Sequence, residues 1–537
     1  MEHTLDGLIE SFLDDEWREW PEDASALGVD GYDDKLSEHS AEDYARRDAQ
    51  TDGWLRRFEA LDDEGLTHAE KTDRDLVISQ LRGRVIMRDW EVWKRNPDRY
   101  LNPGLGSVFQ LFLHRRLPEH DLAVAAAARM KLIPRALEEG KRNLDPTLVP
   151  PLFVERSLGV CAAAARYVRD LVPAEVSDGG DRDVLAEAGA IAARAYDEFA
   201  GSLQRLKADA VGEWAIGEAR YSAVLRDKEL LGFDARELRE RGQAEYDRLA
   251  AEMARRARDL RGTDDFVAVV EELNRDHPPT PEAMREAYED WTERARAFLI
   301  SRDLVTIPDG ERCKVEPSPP FQRPVLAVAS YNPPPLLTPD LTGHFFVPYP
   351  PDGTSEDEIQ KRLESNSEIA IPTTAVHEAY PGHHWHLVWL KQNERILPKV
   401  FWSSYFGEGW ALYTEVMMME EGFYDDPRHE LGVLDARIFR AARIIVDTSL
   451  HLGDMTFDDA VRFMMSKTGM AEPTARAEVG RYCTWPTQAS SYLTGCMEIE
   501  RMRADWLSNG RSLKDFHDTI AGSGALPIAL AERALTA

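Results

Sequence analysis

The stretch TTAVHEAYPGHHWHL, residues 373–387, concentrates most of the metal-binding side chains that this chain offers. Four histidines and one glutamate fall within ten residues, namely His377, Glu378, His383, His384 and His386. Imidazole nitrogens and carboxylate oxygens are common zinc ligands. The composition of this stretch therefore predicts a Zn²⁺ site, and the arrangement of its residues decides which side chains can share the ion.

The spacing departs from the HExxH helix, in which two histidines four residues apart bind zinc while the glutamate activates water. Here the residue four positions after His377 is Pro381, which has no ligand atom. On a regular helix the ring of Pro381 would also collide with the carbonyl of His377 and leave it without a hydrogen bond. The helix is therefore predicted to bulge or break between residues 377 and 383.

A bulge at Pro381 and Gly382 would bring His383 into the position of a second ligand. On an undisturbed helix, His377 and His383 would be separated by about 9 Å of rise. Zinc lies only about 2.1 Å from each ligating nitrogen, so both could not reach it. The alternative is that the Pro-Gly pair ends a helix and begins a loop, with the histidines merely lying at the surface.

A third ligand is predicted on a downstream helix, SSYFGEGWALYTEVMMMEEG, residues 403–422. Glu408 lies near its start, and Glu415 follows on the same face. Two histidines, a glutamate and a water molecule form a typical catalytic zinc site. The alternative is that Glu408 simply stabilises the first turn of the helix through the helix dipole.

The charge and composition of the 537-residue chain exclude several classes of partner. Its formal net charge of −31 argues against binding to nucleic acid or to an anionic membrane surface, because both require basic residues. The four cysteines lack CxxC spacing and predict neither a disulfide framework nor a thiolate zinc site. The acidic N-terminus does not resemble a signal peptide, and no apolar run is long enough to cross a membrane. A cytoplasmic location is expected.

The pattern predicts a mostly α fold. Residues 1–300 form a predicted helical lobe, in which Asp234 and Glu237 cap a helix that ends near Gly262, and Thr280 caps another. Residues 301–537 form a predicted catalytic lobe, and both lobes belong to one continuous fold. The catalytic lobe comprises a small β-sheet at residues 301–350 and the zinc-site helices at 355–537.

Three short strands are expected near residues 314–317, 325–331 and 343–348, where proline and β-branched residues are frequent. An exposed strand edge near the metal could bind a substrate backbone by β-augmentation, and Tyr331 is a candidate for substrate binding there. The alternative is a hairpin that only covers the helices.

Further candidates lie towards the C-terminus. Arg443 is expected either to join an ion-pair ladder with Asp447 or to bind a substrate carboxylate. Gln488 is a second candidate for substrate binding. Tyr492 is a candidate donor to the oxyanion of a tetrahedral intermediate, although aromatic residues at helical spacing are usually core residues.

Five motifs of this chain form a set, namely GEWAIGEARY (212–221), TTAVHEAYPGHHWH (373–386), EGWALYTE (408–415), RAARIIVDTSLH (440–451) and PTQASSYLTG (486–495). Together they resemble a bacterial family known as domain of unknown function family 885, over roughly residues 200–510. That family in turn looks similar to the mostly helical gluzincin-type zinc carboxypeptidases and oligopeptidases, whose fold encloses a long cleft. The resemblance implies a metallopeptidase-like fold.

The resemblance also implies residue roles. His377 and His383 match the zinc-binding histidines, Glu408 matches the glutamate ligand, Glu378 matches the catalytic base, and Tyr492 matches a transition-state donor. The Pro-Gly insertion departs from the gluzincin pattern, and it leaves the neighbouring histidine at position 384 in competition for the second ligand position.

These features predict a zinc-dependent hydrolase of short peptides. In the expected mechanism Glu378 is the general base, and Tyr492, with His384 or His386, stabilises the oxyanion. The expected partner is a short peptide or small amide, and the sequence leaves the oligomeric state open, a homodimer included. Two alternatives are a hydrolase of a non-peptide amide or ester, and an inactive helical binding protein. Retention of Glu378 beside His377 argues against the second.

Overall fold

The computed structural model describes residues 4–320, 322–323, 328–351 and 353–536, and it confirms the mostly helical prediction. Among the described residues, no helix is both long enough and apolar enough to cross a membrane. Shorter π-helical and 3₁₀ turns occur at Tyr167–Leu171, Val172–Glu175 and Val224–Lys228. The α-helices are α1 (Leu5–Glu19), α2 (Pro21–Leu27), α3 (Ala41–Glu59), α4 (His68–Arg88), α5 (Val92–Arg95), α6 (Asp98–His114), α7 (Glu119–Asn143), α8 (Pro151–Arg166), α9 (Gly179–Lys207), α10 (Glu218–Ala223), α11 (Ala235–Arg261), α12 (Phe266–Leu273), α13 (Pro281–Arg302), α14 (Glu356–Glu364), α15 (Ile371–Glu378), α16 (His383–Leu390), α17 (Leu397–Val400), α18 (Ser404–Glu420), α19 (Pro427–Leu452), α20 (Phe457–Thr468), α21 (Glu472–Thr484), α22 (Ser491–Ser508), α23 (Leu513–Gly522) and α24 (Ile528–Ala534).

The capping residues begin and end two of these helices as expected. Asp234 precedes α11, and its side chain accepts a hydrogen bond from the backbone N–H of Glu237. Gly262 ends α11 in a left-handed conformation, which glycine adopts without steric cost. Thr280 caps α13 in the same way, with Pro281 at the first helical position.

The buried apolar residues form two clusters. The larger cluster draws on α1–α4 and α10–α24, and the smaller one is centred on α6–α9. The larger cluster therefore includes residues from both sides of position 300. The division of the chain into two lobes at that position stays a prediction.

The sheet contains three described strands, β1 (Arg312–Pro317), β2 (Ser330–Asn332) and β3 (Thr342–Val347), in the order β1-β3-β2. β3 is central, and it pairs parallel with β1 and antiparallel with β2. The prediction of a small sheet is therefore confirmed. The second predicted strand began at residue 325, but residues 325–327 lie outside the described part of the chain.

Two glycines allow α18 and α22 to pack closely. A Cβ atom added to Gly495 would lie 1.6 Å from the carbonyl oxygen of Tyr405, and one added to Gly409 would lie 2.6 Å from the Cα of Gly495. No side chain fits at either position without moving the backbone. This close approach brings Glu408 of α18 near Tyr492 of α22.

Candidate metal centre

The predicted break in the histidine-rich stretch is present. Helix α15 ends at Glu378, and α16 begins at His383. Between them the backbone N–H of Gly382 donates to the carbonyl of Val376 at 3.1 Å, six residues back rather than the four of a regular α-helix. The Tyr380–Pro381 peptide bond is cis. The chain thus turns irregularly over residues 379–382 before helical geometry resumes.

The turn is packed too tightly for a side chain at Gly382. A Cβ atom at this position would lie 1.9 Å from the carbonyl oxygen of His377 and 2.3 Å from that of Val376. On the other side, the indole N–H of Trp410 in α18 donates to the carbonyl of Pro381 at 2.9 Å. Glycine is therefore required by close backbone approach, and α18 holds the break in place.

The break brings together His377, His383 and Glu408, here called the metal-ligand cluster. One ligand atom from each of these residues lies within 4.8 Å of the other two. The Glu408 Oε2 atom is 3.3 Å from His383 Nε2 and 3.7 Å from His377 Nε2. The three side chains are between 7% and 17% exposed, so the cluster can be reached from solvent.

Glu415 orients the first histidine of the cluster from behind. Its Oε1 atom lies 2.8 Å from the Nδ1 atom of His377, and its side chain is almost fully buried. When Nδ1 of a neutral imidazole donates to a carboxylate, Nε2 carries the lone pair that a metal requires. Glu408 and Glu415 lie on one face of α18. Glu408 is near Nε2 of His377, and Glu415 is near Nδ1 of the same ring.

The electrostatics of the cluster favour a positive charge. Burial lowers the pKa of His377, but hydrogen bonds with Glu408 and Glu415 outweigh it and raise that pKa to about 9. Burial raises the pKa of Glu408, yet its hydrogen bonds to His377 and His383 hold the pKa well below its usual range. Burial also raises the pKa of Glu378, against the attraction of the two imidazoles. The site thus combines two histidines with three carboxylates, and this excess of negative charge suits a divalent cation. The carboxylates are those of Glu378, Glu408 and Glu415.

His384 points into a different network, here called the Glu311 network. Its Nε2 atom lies 2.7 Å from Glu311, and its Nδ1 atom lies 2.9 Å from the hydroxyl of Tyr331. Glu311 also accepts hydrogen bonds from Tyr380 at 2.5 Å and from Arg296 at 2.7 Å. The structure therefore does not bring the proposed catalytic His384 or the proposed substrate-binding Tyr331 into the metal-ligand cluster.

Among the described residues, His386 forms no hydrogen bond with the cluster either. Its ring is fully buried and packs against Trp402, Phe406 and Trp410. Burial lowers its pKa to about 3, so the ring is neutral. Neither ring nitrogen has a hydrogen-bond partner among the described residues.

Tyr492 and Gln488 lie beside the cluster. The Tyr492 ring is nearly parallel to the ring of His377, with the centroids 6.3 Å apart. The Gln488 amide donates to the Tyr492 hydroxyl at 3.2 Å and to Glu408 at 3.4 Å. Burial raises the pKa of Tyr492, so its hydroxyl remains protonated. The side chain of Gln488, a substrate-binding candidate by sequence, bonds to three residues of the protein, because its Oε1 atom also accepts a hydrogen bond from Arg481.

Arg443 is paired within the protein, although its guanidinium carbon also lies 4.8 Å from the centre of the Tyr492 ring. Its Nη2 donates to Glu478 at 2.8 Å, and its Nε donates to the Tyr482 hydroxyl at 3.1 Å. Asp447, expected to join Arg443 in an ion-pair ladder, instead accepts a hydrogen bond from the Tyr221 hydroxyl at 2.6 Å. The expectation that Arg443 binds a substrate carboxylate stays a prediction, and two of its donors, Nε and Nη2, already have acceptors in the protein.

Sequence reasoning missed Glu311 as the partner of His384. The two residues are 73 positions apart, and no helical spacing connects them. It also named Glu415 only as a neighbour of Glu408 on one face, without its bond to His377. The seven-residue spacing between Glu408 and Glu415 on α18 indicates that Glu415 lies on the same face as the ligand. The sequence gives no comparable indication for Glu311.

The sequence profile described as "Bacterial protein of unknown function (DUF885)" matches residues 21–535, and the chain belongs to this family. The fold is found in solved structures, among them the following two. One, "a putative lipoprotein of unknown function from Shewanella oneidensis", is 20% identical with a TM-score of 0.78, over 99% of this chain and 100% of that chain. The other, a "putative lipoprotein from Colwellia psychrerythraea", is 18% identical with a TM-score of 0.82, over 97% and 96%. No curated protein matches the chain.

These neighbours correct the expected cytoplasmic location. Both of these structural neighbours, which match along almost their whole length, are each described as a "putative lipoprotein". The expected location rests only on an N-terminus unlike a signal peptide and on the lack of a long apolar run in the sequence. Neither feature bears directly on where a protein of this fold resides.

Proposed function

We propose that this family member is a zinc-dependent hydrolase of short peptides, of the carboxypeptidase or oligopeptidase type. The observation that carries the proposal is the convergence of ligand atoms from His377, His383 and Glu408 within 4.8 Å of one another. Two histidines and one glutamate, with a fourth position left for water or substrate, are the donor set of catalytic rather than structural zinc.

The surroundings of the cluster suit the ion. Zinc-binding histidines usually donate their second ring N–H to a carboxylate or carbonyl group, and Glu415 provides this partner for His377. Structural zinc sites are usually closed by four protein ligands. Here three side chains converge and remain partly exposed, which leaves an approach for water and substrate.

In this proposal Glu378 is the general base. When bound, zinc supplies Lewis acidity that polarises a carbonyl group and lowers the pKa of water. The carboxylate of Glu378 accepts a proton from the attacking water and passes it to the leaving amine, a task that suits a buried carboxyl with a raised pKa. Tyr492 donates its hydroxyl proton to the developing oxyanion, and Gln488 orients that hydroxyl.

The test is hydrolysis of a set of short peptides by the zinc-loaded protein and by the protein stripped with a chelator. The proposal expects cleavage only in the loaded sample, and its loss in Glu378→Gln. Cleavage of non-peptide amides or esters alone would favour the alternative hydrolase. If the zinc-loaded protein cleaves none of these compounds, the proposal is contradicted. The remaining alternative is then an inactive helical binding protein.

A further inference from the structure

Arg440 differs from the other two arginines at three-residue spacing on α19. Arg437 forms an ion pair with Glu500 at 2.6 Å, and Arg443 forms one with Glu478 at 2.8 Å. For Arg440 no ion pair is found among the described residues. Its Nη1 donates to the Ala436 carbonyl at 3.2 Å, and its buried Nε has no partner. Arg440 is only partly buried, and a guanidinium without a carboxylate partner leaves donors free for an anionic ligand.

Arg440 lies on the side of α19 that faces the candidate active site. Its guanidinium carbon is 5.7 Å from the centre of the Tyr492 ring. The same ring is stacked on His377, and its hydroxyl shares the Gln488 amide with Glu408. The unpaired guanidinium therefore borders the groups to which the reaction is assigned.

We infer that Arg440 binds the terminal carboxylate of the substrate, which restricts the enzyme to peptides and N-acyl amino acids that end in a free α-carboxylate. This inference rests on the proposed hydrolase function. In such substrates the carboxylate lies one residue beyond the scissile carbonyl, and successive Cα atoms are about 3.8 Å apart. The Arg440 guanidinium lies beside Tyr492, the group assigned to the oxyanion, and its planar fork can bind a carboxylate through two hydrogen bonds.

The charge of the protein gives Arg440 a second role in recognition. The chain carries a formal charge of −31, and the cluster contains Glu408 and lies beside Glu378 and Glu415. A substrate carboxylate entering this region is repelled. The unpaired guanidinium of Arg440 offsets this repulsion of the substrate carboxylate. Its attraction is strongest when the carboxylate contacts the guanidinium.

The test compares an N-blocked dipeptide with a free C-terminus and the same dipeptide as its C-terminal amide. Hydrogen bonds to a charged group contribute about 1.5–3 kcal/mol, so zinc-loaded wild type is expected to prefer the free acid by about 10- to 150-fold in kcat/KM, mainly through KM. Arg440→Gln removes this preference, and Arg440→Lys retains part of it. Arg428→Gln, a change in the first turn of α19, leaves the preference unchanged.

A binding measurement separates this inference from the proposed function. Calorimetry with zinc-loaded Glu378→Gln protein, with and without Arg440→Gln, measures the affinity for both dipeptides even if neither is cleaved. Loss of tighter free-acid binding in the double variant supports the inference. Equal binding of the two dipeptides, or a preference that survives Arg440→Gln, overturns it. Arg440→Met, which also removes the charge, replaces Arg440→Gln in both assays if the latter does not fold.

Discussion

The two histidines that begin α16 have different surroundings. His384 is fully buried, and both of its ring nitrogens are hydrogen-bonded within the Glu311 network. His383 is partly exposed, and its Nε2 faces the carboxylate of Glu408. Adjacent residues on a helix point in directions about 100° apart. The break at residues 379–382 therefore sets which histidine joins the metal-ligand cluster and which joins the Glu311 network.

The contrast distinguishes a structural histidine from a candidate ligand. In the Glu311 network donors and acceptors are matched, as expected for buried polar groups that stabilise a fold. In the metal-ligand cluster three acceptor atoms converge, and in a metal-free protein the proton that a raised pKa keeps on His377 relieves their repulsion. Changes to the two regions should therefore affect different properties.

The largest effect is expected for the glutamate next to the cluster. Glu378→Gln should keep zinc but lower kcat by about 10²- to 10⁴-fold, the usual contribution of a general base. Zinc content and peptide hydrolysis are measured on the same preparation. Glu408→Ala is the matched comparison, and it should lose the metal as well. A Glu378→Gln protein that lost zinc as readily would show that Glu378 is a ligand.

The contrast between the two regions can be tested with two matched changes. Glu415→Gln weakens the partner of His377 and should lower zinc affinity by about 10- to 100-fold, the usual effect of losing an outer partner. Glu311→Gln disturbs the Glu311 network and should lower the free energy of unfolding by about 1–3 kcal/mol. Zinc titration and urea denaturation measure the two quantities.

Each of these variants is the control for the other. Zinc affinity should be nearly unchanged in Glu311→Gln, because its partner His384 is not in the cluster. If Glu311→Gln weakened zinc binding more than Glu415→Gln did, the two regions would not be separate.

A smaller effect is expected at the break itself. Gly382→Ala places a Cβ atom where the His377 carbonyl oxygen lies, and it should cost about 1–3 kcal/mol of stability and weaken zinc binding. Gly159→Ala is the control, because no atom lies within 4 Å of a Cβ there and α8 should gain about 0.5–1 kcal/mol. Thermal unfolding with and without zinc measures both. A stable Gly382→Ala protein with normal zinc affinity would contradict the packing described for this turn.

The smallest expected effect is a pH dependence of zinc binding. In the metal-free protein the pKa of His377 is raised from 6.5 to about 9, so its stabilising effect is complete below pH 6.5 and is lost as the pH rises through about 9. Zinc requires the neutral imidazole and must displace this proton. The zinc-induced increase in Tm should therefore grow between pH 6.5 and 9. In Glu415→Gln the zinc-induced increase in Tm should depend less on pH. A zinc-induced increase in Tm that becomes smaller between pH 6.5 and 9 would contradict the assignment.

The local features of the site could be predicted from the sequence. Pro381 cannot continue the hydrogen-bonding pattern that His377 begins, so a break was required by covalent structure alone. The caps of α11 and α13 were predictable for the same reason, since Asp234 and Thr280 satisfy backbone N–H groups within a few residues.

Contacts between distant segments could not be predicted. Whether Arg443 or Arg440 is free depends on Glu478, which lies on another helix, and helical spacing gives no information about it. The partner of His384 comes from a segment next to β1, 73 residues away. These contacts follow from tertiary packing. Glu478 pairs with Arg443, and Glu311 bonds to His384, so a single acceptor on a distant segment determines what each of these side chains can do.

The most direct test of the account is a crystal structure of the zinc-loaded protein with anomalous data collected at the zinc edge. The account predicts one ion about 2.0–2.2 Å from Nε2 of His377, Nε2 of His383 and a carboxylate oxygen of Glu408. His384 should remain bonded to Glu311. An ion bound by His384 in place of His383, or no ion in protein crystallised with zinc, would contradict the account.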